Sequence, residues 1–397
     1  MDNKTIIENS EKYLFHLYNR FNVAFVKGEG VYLYDADGKK YLDFSSGIGV
    51  NAIGYCDKEF NDYIKNQVDK LYHVSNLFYT DSLPLAAEKL VEISKLSKVF
   101  FTNSGAEAIE GALKTAKKYG RLINENKTKI IAMNHSFHGR TIGALSVTGT
   151  EHYREPFYPL MDDVLFANFN DIESVKKFMD ENVCSVILET VQGEGGIYPA
   201  DKNFLKEVRE LCDKYNALLI IDEIQCGMGR TGAMYAYQEY NIIPDILTTA
   251  KALGLGLPVG AFVVNDKVAN ASMVPGDHGT TYGGNPLVTA AVYKSIDIMQ
   301  SRKLTDNVNK LEKYLDDTID YFIEKYDFAK ERRGMGFMKG LVVDIPLRNI
   351  LEKSLENGLV ILSAGQNVLR FLPPLVIEKK HIDEFKEKLS KVFDSMS

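Results

Sequence analysis

Between residues 99 and 264 the chain alternates short, largely apolar runs with longer amphipathic stretches. The runs are Val99–Thr102, Lys129–Met133, Val164–Ala167, Cys184–Leu188, Ala217–Ile221, Asp245–Thr249 and Gly260–Val264. Runs that are apolar on both faces predict a mostly parallel sheet buried between two layers of helices. Most intervals, at roughly 20–30 residues, fit strand–helix–strand crossovers. The last interval is too short for a crossover and predicts an antiparallel seventh strand.

The flanks read differently. Residues 12–45 predict a helix followed by a hairpin, with Val31–Asp35 and Lys40–Phe44 on either side of the turn dipeptide Asp37-Gly38. After the sheet comes a long helical stretch over about residues 286–326, then strands at Gly336–Asp344 and Asn367–Phe371. Ile382, Phe385, Leu389, Val392 and Phe393 recur at helical spacing and predict a last helix over 380–396. No repeat or low-complexity linker divides the chain. The expected fold is α/β: a large domain over 49–285 holding a seven-stranded, mostly parallel sheet, and a small α+β domain from both chain ends, 1–48 and 286–397.

Composition narrows the function without naming it. Of 397 residues, 45% are apolar and 25% charged, ordinary values for a globular protein with a sizeable core. The net charge of −7 has the wrong sign for a general phosphate-backbone binder. No apolar run approaches the roughly 18 residues that would span a bilayer, and the first ten residues lack the pattern of an export signal. Four cysteines (Cys56, Cys184, Cys212, Cys226) lie far apart, with no C-x-x-C pair, which fits reduced thiols in a cytoplasm. The expectation is a cytoplasmic protein without nucleic-acid or membrane partners.

Gly227-Met-Gly-Arg-Thr-Gly232 matches G-x-G-x-x-G, but five residues beginning with Asp222 separate it from the preceding strand. A dinucleotide site needs the first glycine directly after the strand and a helix directly after the motif. A Gly-rich turn is the better reading. His135 and His138 have H-x-x-H spacing, yet no nearby carboxylate motif or cysteine completes a zinc shell. Asp222 and Lys251 end successive apolar runs, so both belong at the carboxyl edge of the sheet, where open α/β sheets bind ligands. They could form a plain ion pair. They could also serve pyridoxal phosphate, the lysine bonding to the cofactor aldehyde and the aspartate keeping the pyridine nitrogen protonated. That reading asks for a phosphate cradle, and Ser104-Gly105-Ala106 opens a predicted helix directly after a strand. A helix N-cap is the plainer account of the same residues. Phe137 could cover a pyridine ring or simply fill a core.

Together these segments resemble class III (subgroup II) aminotransferases of the fold-type I pyridoxal-phosphate superfamily, over nearly the whole chain, and within them the acetylornithine group most closely. The carriers are Ser46–Asn51, Ser75–Tyr79, Phe101–Glu107, Ser136–Thr141, Gln192–Gly196, Asp222–Gly232, Pro244-Asp245, Ala250–Ala252, His278–Asn285 and Asn367–Pro374. The resemblance implies that Lys251 bears the cofactor, Asp222 partners its ring nitrogen, Gln225 its phenolic oxygen, and Phe137 stacks on the ring. It implies that Ser104, Gly105 and Ala106 hold the phosphate, joined by Thr281 from a partner subunit, so the enzyme would be a homodimer. Arg140 and Arg370 would grip substrate carboxylates, Glu194 would gate Arg370, and Tyr18 would assist the donor carboxylate.

The implied reaction moves the δ-amino group of N-acetylornithine to 2-oxoglutarate, giving N-acetylglutamate 5-semialdehyde and glutamate in arginine biosynthesis. 4-Aminobutyrate, ornithine and succinylornithine are the alternative donors. Ile48 stands where ornithine enzymes tend to carry a tyrosine; an apolar residue fits acetylornithine and also 4-aminobutyrate enzymes, and the stretch Asn367–Leu375 favours the acetylated donor. Tyr55, Ile109, Thr190 and Leu255 depart from the family pattern without removing a catalytic group.

Overall fold

A computed structural model describes residues 1–396. Its centre is a seven-stranded sheet: β1 (Lys98–Thr102), β2 (Lys129–Met133), β3 (Val164–Ala167), β4 (Val183–Glu189), β5 (Leu218–Asp222), β6 (Ile246–Thr249) and β7 (Gly260–Val264). Their order is β1-β7-β6-β5-β4-β2-β3. Pairings from β6 through β3 are parallel, and β7 alone runs against both its neighbours. The final strand therefore has the expected direction. All seven residues of β4 and all five of β5 are buried, as strands covered on both faces must be.

Helix α1 (Gly105–Ile123) follows β1 and packs Ile109, Ala112, Leu113 and Ala116 against the sheet. Ile109, the departure from the family pattern, is fully buried there, so an apolar side chain suits its surroundings.

Both chain ends meet outside this sheet. Lys40–Asp43 pairs with Tyr32–Asp35 as expected, and Leu359–Val360 runs parallel beside it. A second small sheet joins Ala329–Met335, Met338–Val343, Val368–Phe371 and Leu362–Ala364.

Three expectations need correction. The first helix spans Asn3–Tyr13, capped by the Asp2 side chain, rather than starting near residue 12. The stretch at 286–326 is two helices, Pro286–Ser301 and Leu304–Lys325, parted where Lys303 turns left-handed at φ 51°. The strand read at Gly336–Asp344 is one arm of a hairpin, whose other arm is Ala329–Met335. The last helix covers Lys379–Asp394 and buries all five residues of the predicted apolar stripe.

Candidate active site

The carboxyl edge of the sheet opens into a cavity of about 430 Å³. Its lining includes Ser104, Gly105, Ala106, Phe137, His138, Arg140, Glu189, Asp222, Gln225 and Lys251. Topology explains the convergence: β5 and β6 are adjacent and parallel, with Asp222 level with Thr248, so the residues just beyond both strands emerge side by side.

Asp222 is nearly fully buried and held from two directions. The Ile224 N–H donates to Oδ1 at 3.0 Å, and His138 Nδ1 lies 2.7 Å from Oδ2. His138 has no exposed side-chain surface, and its Nε2 finds no partner among the described residues. The H-x-x-H pair thus divides: His138 orients the aspartate, while His135 is exposed.

Lys251 follows β6 in a left-handed conformation, φ 48°. Burial lowers its amine below the ordinary lysine range; the Arg370 charge adds to this, while Glu194, Asp222 and Glu189 oppose it. An amine so placed gives up its proton more readily, which suits a nucleophile. Leu255, in the loop after it, is also left-handed at φ 49°, a conformation easier for the glycine of the family pattern.

Opposite the lysine, the first turn of α1 lines the cavity. Ser104 is its N-cap, accepting the Glu107 N–H at 3.2 Å, and its hydroxyl hydrogen stays free to donate. A Cβ on Gly105 would stand 2.8 Å from the Ile224 side-chain tip, so a larger residue here would push Ile224, another lining residue, aside. The free N–H groups and the dipole of α1 make this an anion seat.

Arg370 lies in the strand Val368–Phe371 with 5% of its side chain exposed. It meets Glu194 Oε1 at 2.5 Å and donates to Gln225 Oε1 at 3.2 Å. Burial works against the Glu194 charge, but the guanidinium outweighs it and holds the carboxyl below the usual glutamate range. Arg140 is exposed on the loop after β2, within the cavity lining.

Four anticipated residues are absent from the cavity lining: Arg370 and its partner Glu194, joined to it through the contact of Arg370 with Gln225, and Tyr18 and Thr281. Tyr18 is 69% exposed, and Thr281 is exposed; neither lines the cavity. Thr280, beside Thr281, accepts a hydrogen bond from Asn103 next to the anion seat.

Three groups escaped the sequence reading. His138 was weighed only as half of a metal motif. Glu189, fully enclosed, accepts the N–H groups of Phe137 and Gly193 at 3.0 Å each, and burial pushes its carboxyl up to about 7. Arg230, inside the Gly-rich turn, is 1% exposed and donates to the carbonyls of Phe337 and Pro373, tying that turn to the segment after Arg370. The signal for Glu189 was present: a carboxylate closing an apolar strand that ends level with Asp222.

An amine, a buried carboxylate, an aromatic ring, an anion seat and the Arg140 guanidinium thus share one cavity, and Gln225 in its lining accepts a hydrogen bond from Arg370. That donor set fits pyridoxal phosphate and a carboxylated substrate.

Comparison with known proteins agrees. The family model for class-III aminotransferases matches residues 15–393. The chain is 46% identical to the acetylornithine aminotransferase of Methanocaldococcus jannaschii over 99% of each chain. It is 48% identical to that of Clostridium acetobutylicum, over 94% of this chain and 97% of the other. Among solved structures, the ornithine aminotransferase of Toxoplasma gondii superposes with a TM-score of 0.96 at 30% identity, covering 100% of this chain and 96% of that one.

Proposed function

The chain belongs to the class-III aminotransferase family, and from that premise we propose that it transfers the δ-amino group of N-acetylornithine to 2-oxoglutarate. The products are N-acetylglutamate 5-semialdehyde and glutamate, a step of arginine biosynthesis. Bound pyridoxal phosphate supplies the electron sink that lets a substrate C–H bond break.

The chain's own residues do the rest. Lys251 would hold the cofactor aldehyde through its amine and, with that amine free, would move a proton at its Nζ. Asp222, oriented by His138, would hold the ring nitrogen as the counter-charge that keeps it protonated. Gln225, which accepts from Arg370 through Oε1, would donate an amide N–H to the ring oxygen. Phe137 covers the ring, and Ser104, Gly105 and Ala106 hold the phosphate at the start of α1.

Arg140 binds the donor carboxylate. Arg370 stays paired with Glu194 until the second carboxylate of 2-oxoglutarate displaces it. That ion pair carries the substrate reading, because one pocket must take a mono- and then a dicarboxylate. Ornithine is the second reading, favoured by the T. gondii superposition; the identities of 46% and 48% to acetylornithine enzymes and the apolar Ile48 weigh against it.

Thr281 and Tyr18 fit this scheme as contributions across a homodimer. Phe15, Leu17, Tyr18, Leu77, Phe78, Tyr79 and Tyr282 all stand more than 60% exposed, more large apolar surface than a monomer usually leaves bare. No helix among the described residues is long and apolar enough to cross a membrane. The four cysteines are free, which suits work in a reducing cytoplasm.

Single-turnover spectra with each amine test the substrate reading. N-acetylornithine should convert the bound cofactor fastest, and a faster reaction with ornithine or 4-aminobutyrate would overturn it. Lys251→Ala should abolish both the visible chromophore and turnover.

A further inference from the structure

Arg140 is an exposed cation that makes no hydrogen bond and meets no carboxylate among the described residues, yet it is not adrift. Its guanidinium lies 3.7 Å from the centroid of the Tyr153 ring, and 5.3 Å from that of Phe137. Tyr153 and Phe137 meet edge to face, with centroids 5.9 Å apart and planes at 82°. A guanidinium over an aromatic face is attracted by the ring quadrupole. A guanidinium held over a ring face by its carbon keeps N–H groups turned outward, where a carboxylate can take two of them at once.

Tyr153 is itself fixed. Its N–H donates to Thr150, the Thr150 hydroxyl to the Ser136 carbonyl, and the Gly149 N–H to the Ser136 hydroxyl. Asn134 and Gly149 form a parallel bridge. The segment bearing Tyr153 is thereby stitched to the loop bearing Phe137 and Arg140. The Tyr153 hydroxyl has no partner among the described residues, so the ring and not the oxygen carries the contact.

We propose that Tyr153 is a positioning residue for substrate carboxylates: its ring holds the Arg140 guanidinium flat at the cavity edge, ready for bidentate binding. The proposal rests on the assignment of Arg140 to the donor carboxylate. A residue in this place that acted only on Phe137 would disturb all substrates alike; one acting through Arg140 discriminates by charge.

The test uses cofactor-loaded enzyme and two readouts. One is the calorimetric Kd of glutarate, a dicarboxylate with no amine to react. The other is the ratio of kcat/KM for N-acetylornithine to that for N-acetylputrescine, which lacks the carboxylate. Tyr153→Leu should weaken glutarate about five- to tenfold and lower the ratio by a similar factor. Tyr153→Phe should restore both to within about twofold, since the ring face persists. In an Arg140→Ala background, Tyr153→Leu should add nothing to either readout. Tyr153→Gln serves the same comparison should the leucine variant not fold.

Equal losses for both amines, unchanged glutarate binding, or a full additional loss on top of Arg140→Ala would each overturn the proposal. If Arg140→Ala alone leaves glutarate binding intact, the assignment of Arg140 fails first and takes Tyr153 with it; that result is read before any Tyr153 variant is made.

Discussion

The two arginines proposed to bind substrate carboxylates start from opposite states. Arg370 is buried within a strand and already compensated by Glu194. Arg140 sits exposed on a loop, braced by aromatic rings and uncompensated. A carboxylate arriving at Arg140 displaces only water. One arriving at Arg370 must first displace a protein carboxylate from a 2.5 Å contact. On the proposed assignment, the second charge of a dicarboxylate would be recognised by exchange and the first by simple capture.

Substitutions should break this contrast in order of size. Arg370→Ala strands Glu194 beside the buried amine of Lys251; it should cost about 2–3 kcal/mol in urea unfolding and at least about 100-fold in kcat/KM for 2-oxoglutarate. Adding Glu194→Gln should recover most of the stability and little of the turnover. Unfolding of Arg370→Ala at the wild-type midpoint would mean the pair has no energetic weight.

Arg140→Ala should lower kcat/KM for N-acetylornithine about 10- to 100-fold. Its unfolding free energy should stay within about 0.5 kcal/mol of wild type, because nothing buried depends on that side chain. Glu194→Gln should then sharpen the contrast: with Arg370 released, the preference for N-acetylornithine over glutamate as donor should narrow about tenfold.

A last effect is one of pH. The folded Glu194 carboxyl is held below the glutamate range, so the stability of its pair is present at neutral pH and lost only as pH falls through that lowered value. Glu223 is opposite in sign. Burial pushes it up to about 7, so its contribution is full below about pH 4.3, the unfolded value, and is lost as pH rises towards 7. Tm should therefore decline across that window, and Glu223→Gln should flatten the decline at the cost of one acceptor for the Ala236 and Tyr237 N–H groups.

The central sheet was legible because burial on both faces writes uninterrupted apolar runs, and three of the seven bounds agree to the residue. The hairpin arm Ala329–Met335 was not, because Lys330-Glu-Arg-Arg333 is charged and mostly turned to solvent or to acidic residues of the neighbouring helix. The break at Lys303 carries no proline or glycine to announce it. At the site, Asp222 and Lys251 could be found from strand ends alone. His138, Glu189 and Tyr153 act through partners distant in sequence or through the face of a ring, and no spacing rule encodes such contacts. The gate between Glu194 and Arg370, 176 residues apart, was legible only through family resemblance.

The reversed strand β7 places Gly260 level with Thr102 at the carboxyl edge of the sheet, and a side chain on Gly260 would collide with the Ser104 carbonyl. The lysine loop and the start of α1 are thus zipped together by residues about 160 positions apart, so neither half of the cofactor seat exists until this long-range pairing closes. Capture of the cofactor becomes a reporter of maturation. Newly made chains should refuse it until the sheet is complete, and cofactor-loaded chains should resist unfolding by the full free energy of its binding.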